Sequence, residues 1–317
     1  DAVPNGVTKE QYQPLDDYLD LSDDIWSDMS DVIEMFKYKD KHYVVPYCLS
    51  DPLLITYNRS LCEENGLDDP YELYKKDKWD WDTFMDMMKT FVSNAKDGET
   101  RYGINGWFGQ AMVQSTGETF VKYDGTKFSN NISSPAIEEA EGVMEEIMSL
   151  GLYDPTWYGY LPDDGSTLFF GMADWALGAS NVKADPKPDY EDDGYVEEND
   201  LMIVPFPKQP GSDEYYLNCN FGAKMLVKNS DKGAAVAAYI KCERLASMID
   251  EYKDAAKEKA IIPEVNAQGK LKSYVTEEQY DALQDYKDPK NITPVFDFGY
   301  GMGSRMYGDG EYTYETR

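Results

Sequence analysis

Apolar residues in the segment Lys78–Val92 recur at helical spacing, with Phe84, Met87, Met88 and Phe91 at i, i+3, i+4 and i+7. That period commits the segment to an amphipathic helix with one buried stripe, and Asp80 or Asp82 can accept from its first free N–H groups. Three further helices are predicted. Ser134-Pro135 opens one that runs to about Leu150 and stops at Gly151. Ser230-Asp231 opens another, through Ala234–Ile240 towards Ile249. Thr276-Glu-Glu-Gln279 is a capping-box pattern ahead of a helix ending near Tyr286. Short β-rich runs lie between them: Lys41–Pro46, Leu53–Tyr57, Leu201–Val204 and Lys224–Lys228. Pro46 and Pro52 bracket Tyr47–Pro52 as a link, because proline cannot donate to a central sheet ladder. Strands alternating with helices of this length predict an α/β protein.

Composition narrows what such a protein does. With Lys+Arg 30 and Asp+Glu 60 in 317 residues, the formal net charge is −30. A chain this acidic is a poor partner for nucleic acid or for an anionic membrane surface. Hydrophobic residues at 42% supply a core that disordered acidic chains lack. No apolar run approaches the roughly 20 residues that span a bilayer. Cys48, Cys62, Cys219 and Cys242 form no CxxC pair, and His42 is the only histidine. A Cys/His metal site is therefore not expected, and buried free thiols are. His42 has no nucleophile-elbow motif nearby, which disfavours a serine or cysteine hydrolase. The acidic stretch Asp185–Asp200 reads as a solvated loop rather than a calcium loop, since Pro186 and Pro188 deny it an entering helix.

The motifs come in a particular order. Lys41-His-Tyr-Val-Val-Pro-Tyr47 is followed by Leu53-Leu-Ile-Thr-Tyr-Asn-Arg-Ser-Leu61, Glu64-Asn-Gly-Leu67 and Trp81-Asp-Thr-Phe84. Phe170-Gly-Met-Ala-Asp-Trp175, Val204-Pro-Phe-Pro207 and Asn220–Ser230 with an Ala-rich helix come after. This succession resembles the family 1 extracellular solute-binding proteins, the maltose-binding-protein-like sugar receptors of ABC importers. The resemblance covers roughly Pro14 to Tyr300 and implies a two-lobed, type II periplasmic-binding-protein-like α/β fold. It implies a chain trimmed at both ends, with an incomplete N-terminal lobe. Residues 1–50 and 224–290 would form lobe 1, and 51–223 and 291–317 lobe 2, with hinge crossovers near 51, 221 and 294. It also implies a monomer without cofactor or metal, at the outer face of a membrane through a lipid anchor or in the periplasm. Its partners would be a carbohydrate and a membrane permease.

A sugar offers C–H faces to aromatic rings and hydroxyls to carboxylates and amides. Asp51 lies in the first crossover, where the family carries an acidic ligand contact; a solvated turn carboxylate before Pro52 is the alternative. Tyr47 lies in the same crossover, with core packing as its alternative. Trp107, in Asn105-Gly-Trp-Phe-Gly109, has the glycine-flanked setting of an exposed ring. Trp157 lies in the aromatic loop Asp154–Tyr160, which suits either a stacking surface or a plug that holds the loop down. Trp175 reads as core. The resemblance adds Ser180 and Asn181 as cleft residues. Asn218 and Asn220 flank Cys219 at the second crossover, and Tyr300 sits near a C-terminal aromatic position of the family. These residues support non-enzymatic binding of an oligosaccharide for an ABC importer. A glycoside hydrolase, or a surface adhesin or scaffold, is the alternative, because acids and aromatics serve those functions too.

Overall fold

A computed structural model describes residues 2–184 and 200–299. Its strands are β1 (Tyr12–Gln13), β2 (Val44–Ser50), β3 (Leu53–Asn58), β4 (Tyr102–Gly106), β5 (Val121–Tyr123), β6 (Phe128–Asn130), β7 (Thr167–Ala173), β8 (Leu201–Pro205), β9 (Tyr216–Asn218), β10 (Asn220–Val227), β11 (Glu264–Val265), β12 (Leu271–Ser273) and β13 (Thr293–Val295). The helices are α1 (Ser30–Met35), α2 (Arg59–Glu64), α3 (Pro70–Lys75), α4 (Trp81–Ser93), α5 (Gly109–Gln114), α6 (Pro135–Ser149), α7 (Leu177–Ala184), α8 (Gly233–Ser247), α9 (Asp250–Ala260) and α10 (Glu277–Tyr286).

Two sheets organise these elements. A four-stranded sheet has the order β4-β7-β3-β8, with β3 antiparallel to both its neighbours and β4 parallel to β7. A three-stranded antiparallel sheet has the order β1-β10-β2. The chain passes from the small sheet to the large one through Asp51-Pro52, and from the parallel β9/β13 pair into the small sheet through Cys219.

The expected link Tyr47–Pro52 is mostly strand, because β2 continues to Ser50. Pro46 is accommodated since β2 is an edge strand and its register with β10 slips between Gly222 and Ala223, the partner of Pro46. Helix α4 buries Phe84, Met87, Met88 and Phe91, and the Asp80 carboxylate accepts from Thr83 N at 2.9 Å. In α10 both bonds of the Thr276/Gln279 capping box are made. The single helix expected from Ser230 to Ile249 starts only at Gly233 and is followed by a separate α9 with no buried residue. A helix without a core stripe leaves no hydrophobic period to read.

Core packing is continuous across the two sheets: Val44, Val45 and Leu226 of the small one share a buried cluster with Leu54, Ile55 and Phe169 of the large one. At its centre Phe84 packs on Phe169 and on Trp79, with ring centroids 5.2 and 5.7 Å apart. Fully buried, Trp79 satisfies its indole N–H on Pro205 O at 2.8 Å. Two of the four free cysteines, Cys62 and Cys219, are buried as expected, whereas Cys48 and Cys242 are exposed. No described helix is long and apolar enough to cross a membrane.

Candidate functional site at one end of the large sheet

Pairing register brings distant segments to a single sheet end. Gly106 at the end of β4 lies opposite Gly171, Ala173 at the end of β7 opposite Leu53, and Pro205 at the end of β8 opposite Leu54. The carboxyl ends of three strands therefore converge where β3 begins, the position at which α/β sheets commonly hold ligands. Asp51, Trp107 and Trp175 each lie within two residues of these termini.

Trp107 leaves β4 after a constrained glycine. Gly106 has φ +91°, and a Cβ there would stand 2.2 Å from Gly171 O. The close approach lets Trp107 N donate to Gly171 O at 2.7 Å. The next residue, Phe108, turns into the core, and Trp107 stays 46% exposed. Trp157, 54% exposed, stacks on it with centroids 5.2 Å apart and planes 29° from parallel. The loop carrying Trp157 is tied to β4: Asp154 N donates to Ile104 O at 2.9 Å, and the buried Asn105 amide donates to Asp154 O at 2.9 Å and Thr156 O at 2.6 Å. A stacked indole pair left half in water forgoes burial that such rings normally gain.

Asp51 stands exposed at φ +46°, a left-handed conformation that aspartate tolerates better than most residues. Asn220 is opposite Ser50 and also exposed, and its Nδ2 approaches Asp51 Oδ2 at 3.5 Å. Beside Asn220 a groove opens, lined by Tyr12, Phe36, Val44, Phe221 and Phe296.

Other expected residues are placed elsewhere. Tyr47 is half-buried, with the Lys224 ammonium 4.9 Å from its ring centre and 5.5 Å from that of Tyr239. Asn181 is fully buried; its Nδ2 donates to Tyr274 O at 2.8 Å and Gln279 Oε1 at 2.7 Å, and its Oδ1 accepts from Gln279 Nε2 at 3.0 Å. That corrects its assignment to a cleft, because a satisfied interior amide has nothing left for a ligand. Ser180 is equally buried, bonded to Leu161 N and Ala176 O. Half-buried Asn218 donates to Gln114 Oε1. Tyr300, with residues 185–199, lies outside the described residues.

Trp175 reverses its sequence reading. It is 58% exposed, on a short turn fixed by Asp174, whose N donates to Pro52 O at 3.1 Å and whose Oδ2 accepts from Lys287 Nζ at 2.6 Å. Strand β7 is buried along its whole length, so the apolar run around Trp175 reads as interior, and only the turn that ends the strand shows the ring facing out. Among the described residues no cluster of three or more His, Cys, Asp or Glu side chains could hold a metal.

Residues 1–242 match the family model described as bacterial extracellular solute-binding protein. No curated protein matches the chain. Among solved structures, the chain is similar to the cyclic alpha-maltosyl-1,6-maltose binding protein of Arthrobacter globiformis, at 18% identity and a TM-score of 0.58, over 79% of this chain and 60% of that one. It is similar to the ABC transporter associated binding protein of B. animalis subsp. lactis Bl-04 in complex with beta-1,6-galactobiose, at 17% identity and 0.55, over 97% and 76%. It is also similar to the sugar-binding protein MalE of Xanthomonas citri, at 15% and 0.54, over 92% and 67%. The chain spans about three fifths of the length of the first of these structures. The shared fold is the two-lobed, type II periplasmic-binding-protein-like α/β architecture.

Proposed function

The chain belongs to the bacterial extracellular solute-binding proteins, and on that premise we propose that it binds an oligosaccharide at the end of the large sheet without chemical turnover and delivers it to the permease of an ABC importer. The observation that carries this reading is the half-exposed Trp107/Trp157 stack at the sheet end where the Asp51–Asn220 pair also lies. Indole faces take the C–H faces of a pyranose, and a carboxylate with a carboxamide takes its hydroxyls. Trp175, at the same sheet end, offers a further ring for a ligand longer than one sugar unit. The ligands of similar solved proteins, cyclic alpha-maltosyl-1,6-maltose, lacto-N-biose and beta-1,6-galactobiose, favour this ligand class.

The division into lobes belongs to the same proposal: residues 1–50 and 224–290 in one, 51–223 and the segment from 291 in the other. It is supported by the passage of the chain between sheets at Asp51-Pro52 and at Cys219. Ligand contacts from both sides of such passages bias the hinge towards closure, the form a permease would recognise. Action as a monomer, and residence at the outer face of a membrane through a lipid anchor or in the periplasm, belong to the same proposal.

Calorimetric titration with cyclic maltosyl-maltose, lacto-N-biose and beta-1,6-galactobiose tests the reading, with tryptophan fluorescence followed in parallel. Saturable binding of at least one, with a changed indole spectrum and unaltered sugar recovered, is the expected result. Cleaved sugar would mean a hydrolase, and no binding across the set would remove the oligosaccharide assignment.

A further inference from the structure

Asn105 belongs to neither ring of the stack, yet it stands between them in the covalent and hydrogen-bonded frame. It precedes Trp107 by two residues on β4, and its side chain bonds the residue just before Trp157. It is 1% exposed. Burying a carboxamide is costly unless its donors are used, and a position chosen for packing alone would take leucine, which has similar bulk and no polar group. Both hydrogens of Nδ2 are used, on Asp154 O and Thr156 O. Two carbonyl acceptors facing one atom require two hydrogens from that atom, which a side chain of this size provides only as an amide. Its Oδ1 is buried without a partner among the described residues, so what the side chain contributes is donation to the loop. The loop is otherwise held by Asp154 N on Ile104 O at 2.9 Å, and it is stiffened by Thr156 N donating to Asp154 Oδ1 at 2.9 Å.

We propose that Asn105 is a positioning residue: by clamping the 154 and 156 carbonyls it seats Trp157 against Trp107 before any ligand arrives, so that the ring platform is preorganised. This rests on the reading of the ring pair as the ligand platform. A ligand meeting an already stacked pair is spared the ordering of a loop and a large side chain, and its affinity rises by that saving. The role is separate from stability, because the loop keeps its main-chain bridge to Ile104 when the amide is lost.

Circular dichroism tests it without a ligand. Two indoles 5.2 Å apart couple their ultraviolet transitions into a paired positive and negative band. Asn105→Asp keeps the shape and removes both donors; Asn105→Leu keeps the bulk and removes the polarity. Each is expected to lose the paired band to the level of Trp157→Ala while melting remains a single cooperative transition. Affinity for whichever of the three titrated sugars binds is expected to fall on the order of tenfold. Adding Asn105→Leu to Trp157→Ala should weaken binding by less than about twofold, since the two act through one ring. A folded Asn105 variant that keeps the paired band overturns the proposal. Loss of the band with affinity unchanged upholds the positioning role and overturns the ligand-platform reading instead. Should neither variant fold, amide exchange in the unaltered protein decides. Side-chain NH2 protons of Asn105 protected as long as the main-chain N–H of Asp154 support the clamp, and rapid exchange overturns it.

Discussion

Replacing Trp107 by alanine separates a binding platform from a structural plug. The ring is 46% exposed and its largest neighbour is the Trp157 indole, 5.2 Å away. Within the protein the substitution therefore removes one aromatic stack and the burial of about half a ring, about 1.5–2.5 kcal/mol together. The main-chain bond from residue 107 to Gly171 O is independent of the side chain and stays. A loss of that size lowers the melting temperature of a chain this large by no more than about 10 °C, at about 2–4 °C per kcal/mol. On the ligand side, an anchoring aromatic face contributes about 1–3 kcal/mol, a rise in Kd of about 5- to 150-fold. Differential scanning calorimetry measures the first quantity and isothermal titration the second. A ring that serves the ligand gives a thermal change within that bound and a large affinity change, and a ring that serves the fold gives the reverse. An intact variant with unchanged Kd would refute the platform argument.

Further outcomes follow from single side chains. Asp51→Asn keeps a residue that tolerates the left-handed backbone and removes the charge; sugar affinity is expected to fall by about 1.5–3 kcal/mol with no thermal shift, measured by titration calorimetry. Asp297 is 6% exposed, and burial raises its carboxyl pKa despite donation from Gly299 N at 2.8 Å. The native state therefore holds that proton more tightly than the unfolded chain does, and stability declines as pH rises from 3.8 through the folded value. Asp297→Asn should flatten that decline in melts taken across the acid range, and parallel curves would disprove it. Asp124 is shifted the other way, to about 2, because the Thr126 hydroxyl and the Lys127 and Thr126 N–H groups donate to its carboxylate. Its contribution is full above 3.8 and disappears as pH falls to about 2. Asp124→Ala should remove that part of the acid loss, seen as a smaller difference between melts at the two ends of the window.

Local chemistry was readable wherever a residue acts on its own neighbourhood. The α4 stripe, its Asp80 cap and the Thr276/Gln279 box appear in the fold as predicted, because period and capping are interactions within a few residues. Helices of one or two turns such as α2, α3 and α5 escaped, since so short a run carries too few apolar positions to show a period. The glycine-flanked setting of Trp107 pointed correctly to an exposed ring. Asn181 and Trp175 went the opposite way, one sealed inside by Tyr274 and Gln279 and one left in water on a turn that Pro52 and Lys287 hold, all partners far away in sequence.

Alternating strand and helix signals set the α/β class from the residues alone, and motif order together with the family match set the kinship. Tertiary structure alone decided which rings meet. Trp107 and Trp157 are 50 positions apart, and they stack because β4 ends at Gly106 and the buried Asn105 amide holds the returning loop. Helical period and capping are short-range and survive in the order of residues. A contact between distant segments depends on strand register and on a few interior hydrogen bonds, which exist only once the chain has closed on itself.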